Sequence, residues 1–165
     1  TRTTGIVSRE LVTRWAAGGH VGRASGRDFD ARRDLAYPPY SQAPFKIPVL
    51  DAGDVDARLW IRVHEIETSL ALLRGWLAAL PDGPVRVDAA GASDAGEGVA
   101  VVEAFRGDVL VWLRLASDGR IARCHVRDPS WFQWPLLEAA IEGNIVADFP
   151  LCNKSFNCSY SGQDV

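Results

Sequence analysis

A long run of apolar residues at helical spacing constrains this chain most. Between Asp54 and Leu80 the apolar positions recur at steps of four and three residues, which places them on one stripe of an amphipathic helix. At 1.5 Å per residue, such a helix is about 40 Å long. Asp54 or Asp51 can cap its start, and a Pro-Asp-Gly-Pro segment after Leu80 ends it. The pattern favours a stripe packed on its own domain, but it also allows pairing with another helix. The stripe consists of Val55, Leu59, Val63, Ile66, Leu70, Leu73, Leu77 and Leu80.

Three shorter runs, over 99–105, 109–115 and 121–126, predict an antiparallel β-meander. The first link, Arg106-Gly-Asp108, has the composition of a tight turn. The second link, Ser117-Asp-Gly-Arg120, carries the Asp-Gly pair of a type I′ hairpin. Together with the long helix, these runs predict an α+β fold in which the meander packs with the amphipathic helix.

Shorter elements flank this pair. Ser8 can cap a short helix that a glycine pair closes at Gly18. Residues 20–50 are rich in arginine and then in proline and tyrosine, so we expect an irregular segment that follows a fixed path over a surface. A last helix is predicted from Trp134, with a proline in its first turn, and the tail from Ile145 has no clear period.

The composition indicates one ordinary globular domain. The 165 residues are 47% hydrophobic and 24% charged, and a chain of this size buries roughly 70% of its unfolded surface. A net charge of -3, from 18 basic and 21 acidic side chains, gives no field that would attract nucleic acid. No apolar run approaches the roughly 20 residues of a membrane span, so we expect a soluble, cytoplasmic chain. The chain has no methionine, and we expect it to be part of a longer protein.

None of the histidines or cysteines forms a metal-binding motif. The zinc motif that His64 could start fails because Thr68 stands where a second histidine is required. The three histidines lie on different elements, and we expect ordinary surface or hydrogen-bonded roles for them. Cys152 and Cys158 do not have the spacing of zinc or iron-sulfur ligands. We expect both, and Cys124 in the third strand, to be reduced and buried, and no metal site is predicted.

Two charged residues stand out in the first hairpin. Glu103 interrupts an apolar strand, and a buried carboxylate there needs a cationic or hydrogen-bonding partner. Arg106, three residues later, could supply that partner, and so could an arginine between Arg23 and Arg33. A surface carboxylate beside a turn arginine is equally compatible with the spacing. The spacing therefore leaves a functional and a structural role open for this pair.

Short motifs, among them Glu103-Ala-Phe-Arg-Gly107 and the ending Ser155-Phe-Asn-Cys-Ser-Tyr-Ser-Gly162, occur over nearly the whole chain. Their order resembles the C-terminal half of the hydrogenase-like large subunit family. This family includes nickel-iron hydrogenase large subunits, their formate-hydrogenlyase-type membrane-bound relatives, and the 49 kDa subunit of respiratory complex I. Glu103-Ala-Phe-Arg-Gly107 resembles the family's E-A-x-R-G segment, and the tail resembles its S-F-D-P-C-x-x-C ending. The other matching stretches are Arg23-Ala-Ser-Gly26, Asp30-Ala-Arg-Arg33, Tyr37-Pro-Pro-Tyr40, Gly96-Glu-Gly98, Asp118-Gly119 and Arg127-Asp-Pro-Ser-Trp131.

The resemblance implies a large subunit without its nickel. Aligning Ser155-Phe-Asn-Cys-Ser-Tyr-Ser-Gly162 with the family's ending puts Ser159 and Gly162 at the two cysteine ligands and Cys158 one residue out of register. A hydroxyl and a hydrogen cannot replace two soft thiolates around nickel. The resemblance also implies that Arg106 faces the former metal cavity and that Glu103 supports it, as the catalytic pair.

By the same resemblance, the chain is the C-terminal domain, residues 1–165, of a longer oxidoreductase subunit similar to NADH dehydrogenase (quinone). It would take electrons from an iron-sulfur small subunit and pass them to a quinone, without binding a cofactor itself. Its complex would sit on the inner face of the cell membrane, and the isolated fragment would be inactive. Two alternatives stay open: a nickel-iron hydrogenase-type subunit with unusual ligands, and a non-catalytic scaffold subunit of such a complex.

Overall fold

A computed structural model describes residues 1–86 and 95–163, and its architecture is α+β, as the sequence predicts. Six α-helices accompany three strands in the described ranges. The helices are α1 (Arg9–Arg14), α2 (Gly19–Ala24), α3 (Ala31–Asp34), α4 (Val55–Ala78), α5 (Ser130–Ile141) and α6 (Phe149–Phe156). The strands are β1 (Gly96–Ala104), β2 (Gly107–Leu115) and β3 (Ile121–Arg127). Short 3-10 turns cover Tyr40–Gln42, Val146–Asp148 and Ser161–Gln163.

The sheet is the predicted antiparallel meander, in the order β1-β2-β3. The type I′ assignment of its second hairpin is wrong. A hydrogen bond of 3.0 Å from the Gly119 amide to the Ala116 carbonyl closes the turn, and positive φ falls on Gly119 (79°) but not on Asp118. A type I turn followed by a left-handed glycine adds one residue to the loop. The pairing register accordingly shifts between Arg114 and Leu115.

The long helix α4 begins where the sequence predicts. The Asp54 carboxylate caps it by accepting the Ala57 amide proton at 2.8 Å. The expected burial of its apolar stripe is wrong beyond Val55, since Leu59 is 51%, Leu70 50% and Leu77 65% exposed. The buried face of α4 instead carries Val55, Ala57, Arg58 and Ile61, and it lies against α2 and α6.

The segment expected to be irregular contains two short helices. α1 ends at Arg14, before the glycine pair, and Gly19 instead begins α2, all six residues of which are buried. α3 follows, with the Asp30 carboxylate accepting the Arg32 amide proton at 3.0 Å as its cap. Backbone conformations that only glycine tolerates without strain explain part of this path. Gly19 has φ of 62° and lies against the backbone of the β1–β2 turn.

The C-terminal third also differs from the expectation. α5 begins at Ser130, four residues before the predicted start, so that Pro135 lies inside the helix. α6 was not predicted, and Asn157 ends it in the left-handed conformation, with φ of 55°. The expected burial of Cys124 is wrong, because this residue is exposed on β3, whereas Cys152 and Cys158 are buried as predicted.

The main hydrophobic core lies among α1, α2, α5 and α6, with side chains such as Val12, Val21, Leu136 and Phe156. This core holds α2 and the chain after α6 in place, and both contribute to the site described below. Among residues 1–86 and 95–163, no helix is long and apolar enough to cross a membrane.

Candidate functional site

The two residues singled out by the sequence lie at the β1–β2 hairpin and face different surroundings. Glu103 pairs with Asp108 near the end of β1, and Ala104 pairs with Gly107, so Phe105 and Arg106 form a two-residue turn. The Glu103 carboxylate contacts Arg23, whereas the Arg106 guanidinium contacts the segment after α6. The cationic partner of Glu103 is therefore Arg23, from the Arg23–Arg33 region, and not Arg106.

Glu103 belongs to a charge cluster, which consists of Arg23, Asp30, Arg32, Glu65 and Glu103. Arg23 lies at its centre with its side chain 1% exposed. Its Nε donates to Glu65 Oε1 at 2.7 Å, and its Nη1 donates to Glu103 Oε1 at 2.8 Å and lies 3.3 Å from Asp30 Oδ2. Arg32 donates to both oxygens of Asp30, at 2.9 and 2.6 Å. Two guanidinium groups thus face three carboxylates.

The Glu103 carboxyl is more easily protonated than an ordinary glutamate. Its side chain is 3% exposed, and its Oε2 accepts the Ala31 amide proton at 2.9 Å. Burial raises the pKa of Glu103 and the neighbouring Asp30 raises it further, while Arg23 opposes both effects. The Glu103 amide also donates to the Tyr37 hydroxyl at 3.0 Å. These bonds attach the end of β1 to α2 and α3, and so they fix the position of the adjacent turn.

Arg106 lies against the segment Ser155–Gly162, called the tail here. Its Nε donates to the Asn157 carbonyl. Its own carbonyl accepts a proton from Gln133 Nε2 at 2.6 Å, and the other side-chain atom of Gln133, Oε1, lies 3.9 Å from Cys158 Sγ. On the α5 side, the Trp131 indole donates to the Gly162 carbonyl at 2.6 Å. Arg106 and α5 therefore hold the tail from two directions.

His20 and Arg58 also hold the tail, although neither was identified from the sequence as a site residue. His20 Nε2 donates to the Ser155 carbonyl at 3.0 Å, and its ring stacks on Phe105 at a centroid distance of 5.5 Å. Burial is the main cause that lowers the pKa of His20 to about 4, so its ring is neutral at pH 7. Its Nδ1 is buried without a hydrogen-bond partner in the described part of the chain.

Arg58 is a fully buried cation with neutral hydrogen-bond partners. It donates to the Gly53 carbonyl at 2.7 Å, to the Gly5 carbonyl at 2.9 Å and to the Ser155 hydroxyl at 2.9 Å. Its guanidinium lies 4.5 Å from the centre of the Phe156 ring. Burial lowers the pKa of Arg58 to about 10, which still leaves it charged at pH 7. Arg58 therefore joins α4, the N-terminal loop and the tail.

The tail residues do not fit a nickel centre. The Ser159 hydroxyl accepts the Gly162 amide proton at 3.0 Å. Burial raises the pKa of Cys158 to about 12, so its sulfur is a protonated thiol at pH 7. A Cβ at position 162 would lie 2.7 Å from Asp128 Cγ, which leaves no room for a cysteine without rearrangement. In the described ranges, no three His, Cys, Asp or Glu residues are grouped as a metal site.

Comparison with known proteins supports the family that the sequence motifs resemble. The family described as "Respiratory-chain NADH dehydrogenase, 49 Kd subunit" matches residues 1–93 and 87–164. The carbon monoxide-induced hydrogenase of Rhodospirillum rubrum is 32% identical over 95% of this chain and 44% of its own length. An NADH-quinone oxidoreductase subunit of Desulfotalea psychrophila is 33% identical over 87% of this chain and 40% of its own length.

A solved structure is similar over almost the whole chain. It is a chain of the membrane-bound sulfane sulfur reductase, described as an archaeal respiratory membrane complex, with a TM-score of 0.89 and 28% identity. The match covers 99% of this chain and 46% of that one, so this chain spans less than half the length of these relatives. Because the family match extends over both halves of the chain, and the fold and the ordered motifs agree with it, the chain belongs to the family of the 49 kDa subunit of respiratory-chain NADH dehydrogenase.

Proposed function

We propose that this chain is the C-terminal domain of the large subunit of a complex-I-like oxidoreductase. In this assembly it helps to pass electrons from an iron-sulfur partner subunit to a quinone-type acceptor. The family match and the relatives named as NADH-quinone oxidoreductase subunits support this assignment. The observation that carries the proposal is the contact between Arg106 and the tail, because the tail corresponds to the segment that carries the metal ligands in nickel-containing members of the family.

Arg106 is the proposed catalytic residue, and its role is charge compensation. Its Nε donates to the Asn157 carbonyl, but its two terminal nitrogens make no hydrogen bond or ion pair within the described residues. A guanidinium group remains charged at any physiological pH and offers several directed N–H donors. Donors fixed in advance stabilise the negative charge that an acceptor gains on reduction. Arg106 would thus lower the barrier for reduction without being reduced itself.

Glu103 is proposed as a positioning residue that acts through the hairpin. It bonds to Arg23 and to the Ala31 amide, and Arg106 lies three residues further along the chain, in the turn. Loss of these bonds would release the end of β1 and let the turn move away from the tail. Small displacements of a catalytic group can cost a large part of the rate.

The complex would lie at the inner face of the cell membrane, with this chain peripheral to the bilayer. Its partners would be the iron-sulfur small subunit and membrane-embedded subunits. The exposed stripe of α4, which includes Leu70, Leu73 and Leu77, supports an assembled state. Contiguous apolar surface of this kind is typical of interaction sites.

The proposal is tested by replacing Arg106 in the intact complex. We expect Arg106→Ala to reduce the quinone-dependent rate by about 100-fold, as for loss of one preorganised donor, while native gel electrophoresis shows complete assembly. Arg106→Lys should restore part of the rate because it returns the charge. Arg120→Ala, in the exposed second hairpin turn, is the matched control and should leave the rate unchanged.

A scaffold subunit is the competing function. It is favoured because the Ser159 and Ser155 hydroxyls of the tail already accept hydrogen bonds from within the chain, from the Gly162 amide and from Arg58. An unchanged rate in assembled Arg106→Ala complex would support the scaffold and contradict the catalytic role. The hydrogenase alternative requires nickel, which the tail donors do not fit. Stoichiometric nickel, measured by mass spectrometry of the purified complex, would contradict the nickel-free assignment.

A further inference from the structure

A second candidate binding site lies between α4 and the first hairpin, away from the tail. A cavity of about 390 Å³ opens there, within the size range of small-molecule sites. One wall is α4, with Arg62, Ser69 and Leu70, and the opposite wall includes Tyr40 and Phe105. We call this space the Arg62 cavity. It lies apart from the tail contacts of Arg106, although Glu103, the proposed positioning residue, forms part of its lining. Ligand binding in this cavity does not require Arg106 to act in electron transfer.

The carboxylates and the other arginines that border the cavity already have partners. Glu65 and Glu103 accept hydrogen bonds from Arg23, and Arg32 is paired with Asp30. These five residues of the charge cluster carry two positive charges and three negative ones when all are ionised. Arg32 Nη1 and the second carboxylate oxygen of Glu65 make no hydrogen bond within the described residues, but each belongs to a group that already has an oppositely charged partner.

Arg62 differs from its charged neighbours. It makes no ion pair or hydrogen bond with the residues that the structure describes, and it is only partly exposed. Its guanidinium is held over the Phe105 ring, with Cζ 5.0 Å from the ring centre. The Phe105 ring in turn stacks with His20. The cation therefore has a defined place with its N–H donors unused, and partial burial without a partner costs free energy that an anion would offset.

The remaining lining defines the chemistry of the ligand. The hydroxyls of Tyr40 and Ser69 make no hydrogen bond within residues 1–86 and 95–163, and both can donate to an oxygen. Leu70 and the Phe105 ring supply apolar surface beside them. Arg62 is the cation that a ligand carboxylate can reach in this cavity, whereas a second negative charge on the ligand would face Glu65 and Glu103 and be repelled by them. A planar carboxylate matches the fork of a guanidinium.

We propose that the Arg62 cavity binds a small monocarboxylate with an apolar or aromatic body. The carboxylate bonds to Arg62 and to the hydroxyls of Tyr40 and Ser69, and the apolar body lies on Leu70 and Phe105.

Benzoate is the probe for this site, and NMR of the 165-residue chain is the readout. We expect saturable shifts of the Arg62 Nε–Hε signal and of Ser69 and Phe105 amide signals, with binding at least about 10-fold tighter than that of benzamide, its neutral analogue. Arg62→Gln should remove this preference. Arg74→Gln, on the exposed side of the same helix, should leave it intact, and circular dichroism checks that both variants fold.

Four outcomes would overturn the proposal. Benzoate and benzamide could bind equally, Arg62→Gln could retain the preference for benzoate, or the shifts could map to the tail and not to the cavity. Phenyl phosphate serves as the dianionic comparison, and tighter binding of it than of benzoate would contradict the assignment to a monocarboxylate. A folded Ser69→Ala variant should bind benzoate about 3-fold more weakly, as expected for one lost hydrogen bond.

Discussion

Replacing Arg23 by methionine removes the central cation of the charge cluster and keeps much of the side-chain volume. Arg23 is 1% exposed, and the Glu65 and Glu103 side chains that it contacts are 15% and 3% exposed. Arg32 still neutralises Asp30 in the variant, but Glu65 and Glu103 lose their cation. Breaking a buried ion pair by removing one partner costs about 3–5 kcal/mol. We expect a loss of that size in the free energy of unfolding at neutral pH.

The loss should depend on pH in a defined direction. Arg23 opposes the burial that raises the pKa of Glu103, so its removal raises this pKa further above the unfolded value. A folded state that binds a proton more tightly than the unfolded state becomes more stable as pH falls. The deficit of Arg23→Met should therefore be smaller at about pH 5 than at about pH 8. Urea unfolding followed by tryptophan fluorescence at both pH values measures it.

Two further variants separate the cluster from general effects of losing an arginine. Arg33 pairs with Asp28 and Asp34 at the surface, with its side chain 37% exposed, and Arg33→Gln should cost less than about 1 kcal/mol. Adding Glu103→Gln to Arg23→Met should recover more than about 1 kcal/mol, because it removes one unpaired charge. A deficit below about 1 kcal/mol at pH 8, or an equal deficit at both pH values, would refute the reasoning.

Three more expectations concern single residues. Gly19→Ala should destabilise the chain by more than about 1 kcal/mol in thermal unfolding, because the new Cβ would lie 2.2 Å from the Arg106 carbonyl oxygen. Gly75→Ala, on the open face of α4, should instead stabilise the chain by about 0.5–1 kcal/mol. The pKa of His20 is lowered from 6.5 to about 4, so as pH falls the unfolded chain binds a proton at this residue before the folded chain does. In urea unfolding, the free energy of unfolding should therefore fall by about 3 kcal/mol between these pH values, and His20→Gln should lack this decrease. Of the three thiols, Cys124 alone should react rapidly with a thiol reagent such as dithiobisnitrobenzoate, because the other two are buried.

The sequence predicted best those elements that have a strong local period. The limits of α4 agree within two residues because Asp54 provides a cap and a proline-glycine segment follows. Burial was predicted less well, because it depends on which face a neighbouring element covers. α2 and α6 cover the face with Ala57 and Ile61, and α6 was not predicted at all.

In the site, too, the features that neighbouring residues determine could be predicted, and the contacts between distant residues could not. Glu103 and Arg106 were found because a charge interrupts an apolar strand and an arginine follows in the turn. The partner of Glu103, Arg23, lies 80 positions away, and spacing could only place it among several arginines. Arg58 carried a weak signal, since it lies between Ala57 and Ile61 on the side of the helix away from the leucines. His20 had no local signal, because its contact with Ser155 joins positions 135 apart.

The complete enclosure of α2 restricts how this protein can be labelled. Its six residues lie inside the fold, with His20 directed to the tail and Arg23 to the charge cluster. A dye, spin label or inserted tag on this helix would displace groups at both places, and its signal would report the damage it caused. Probes that follow the tail or the hairpin belong on the open strands instead, where Cys124 already provides an attachment point.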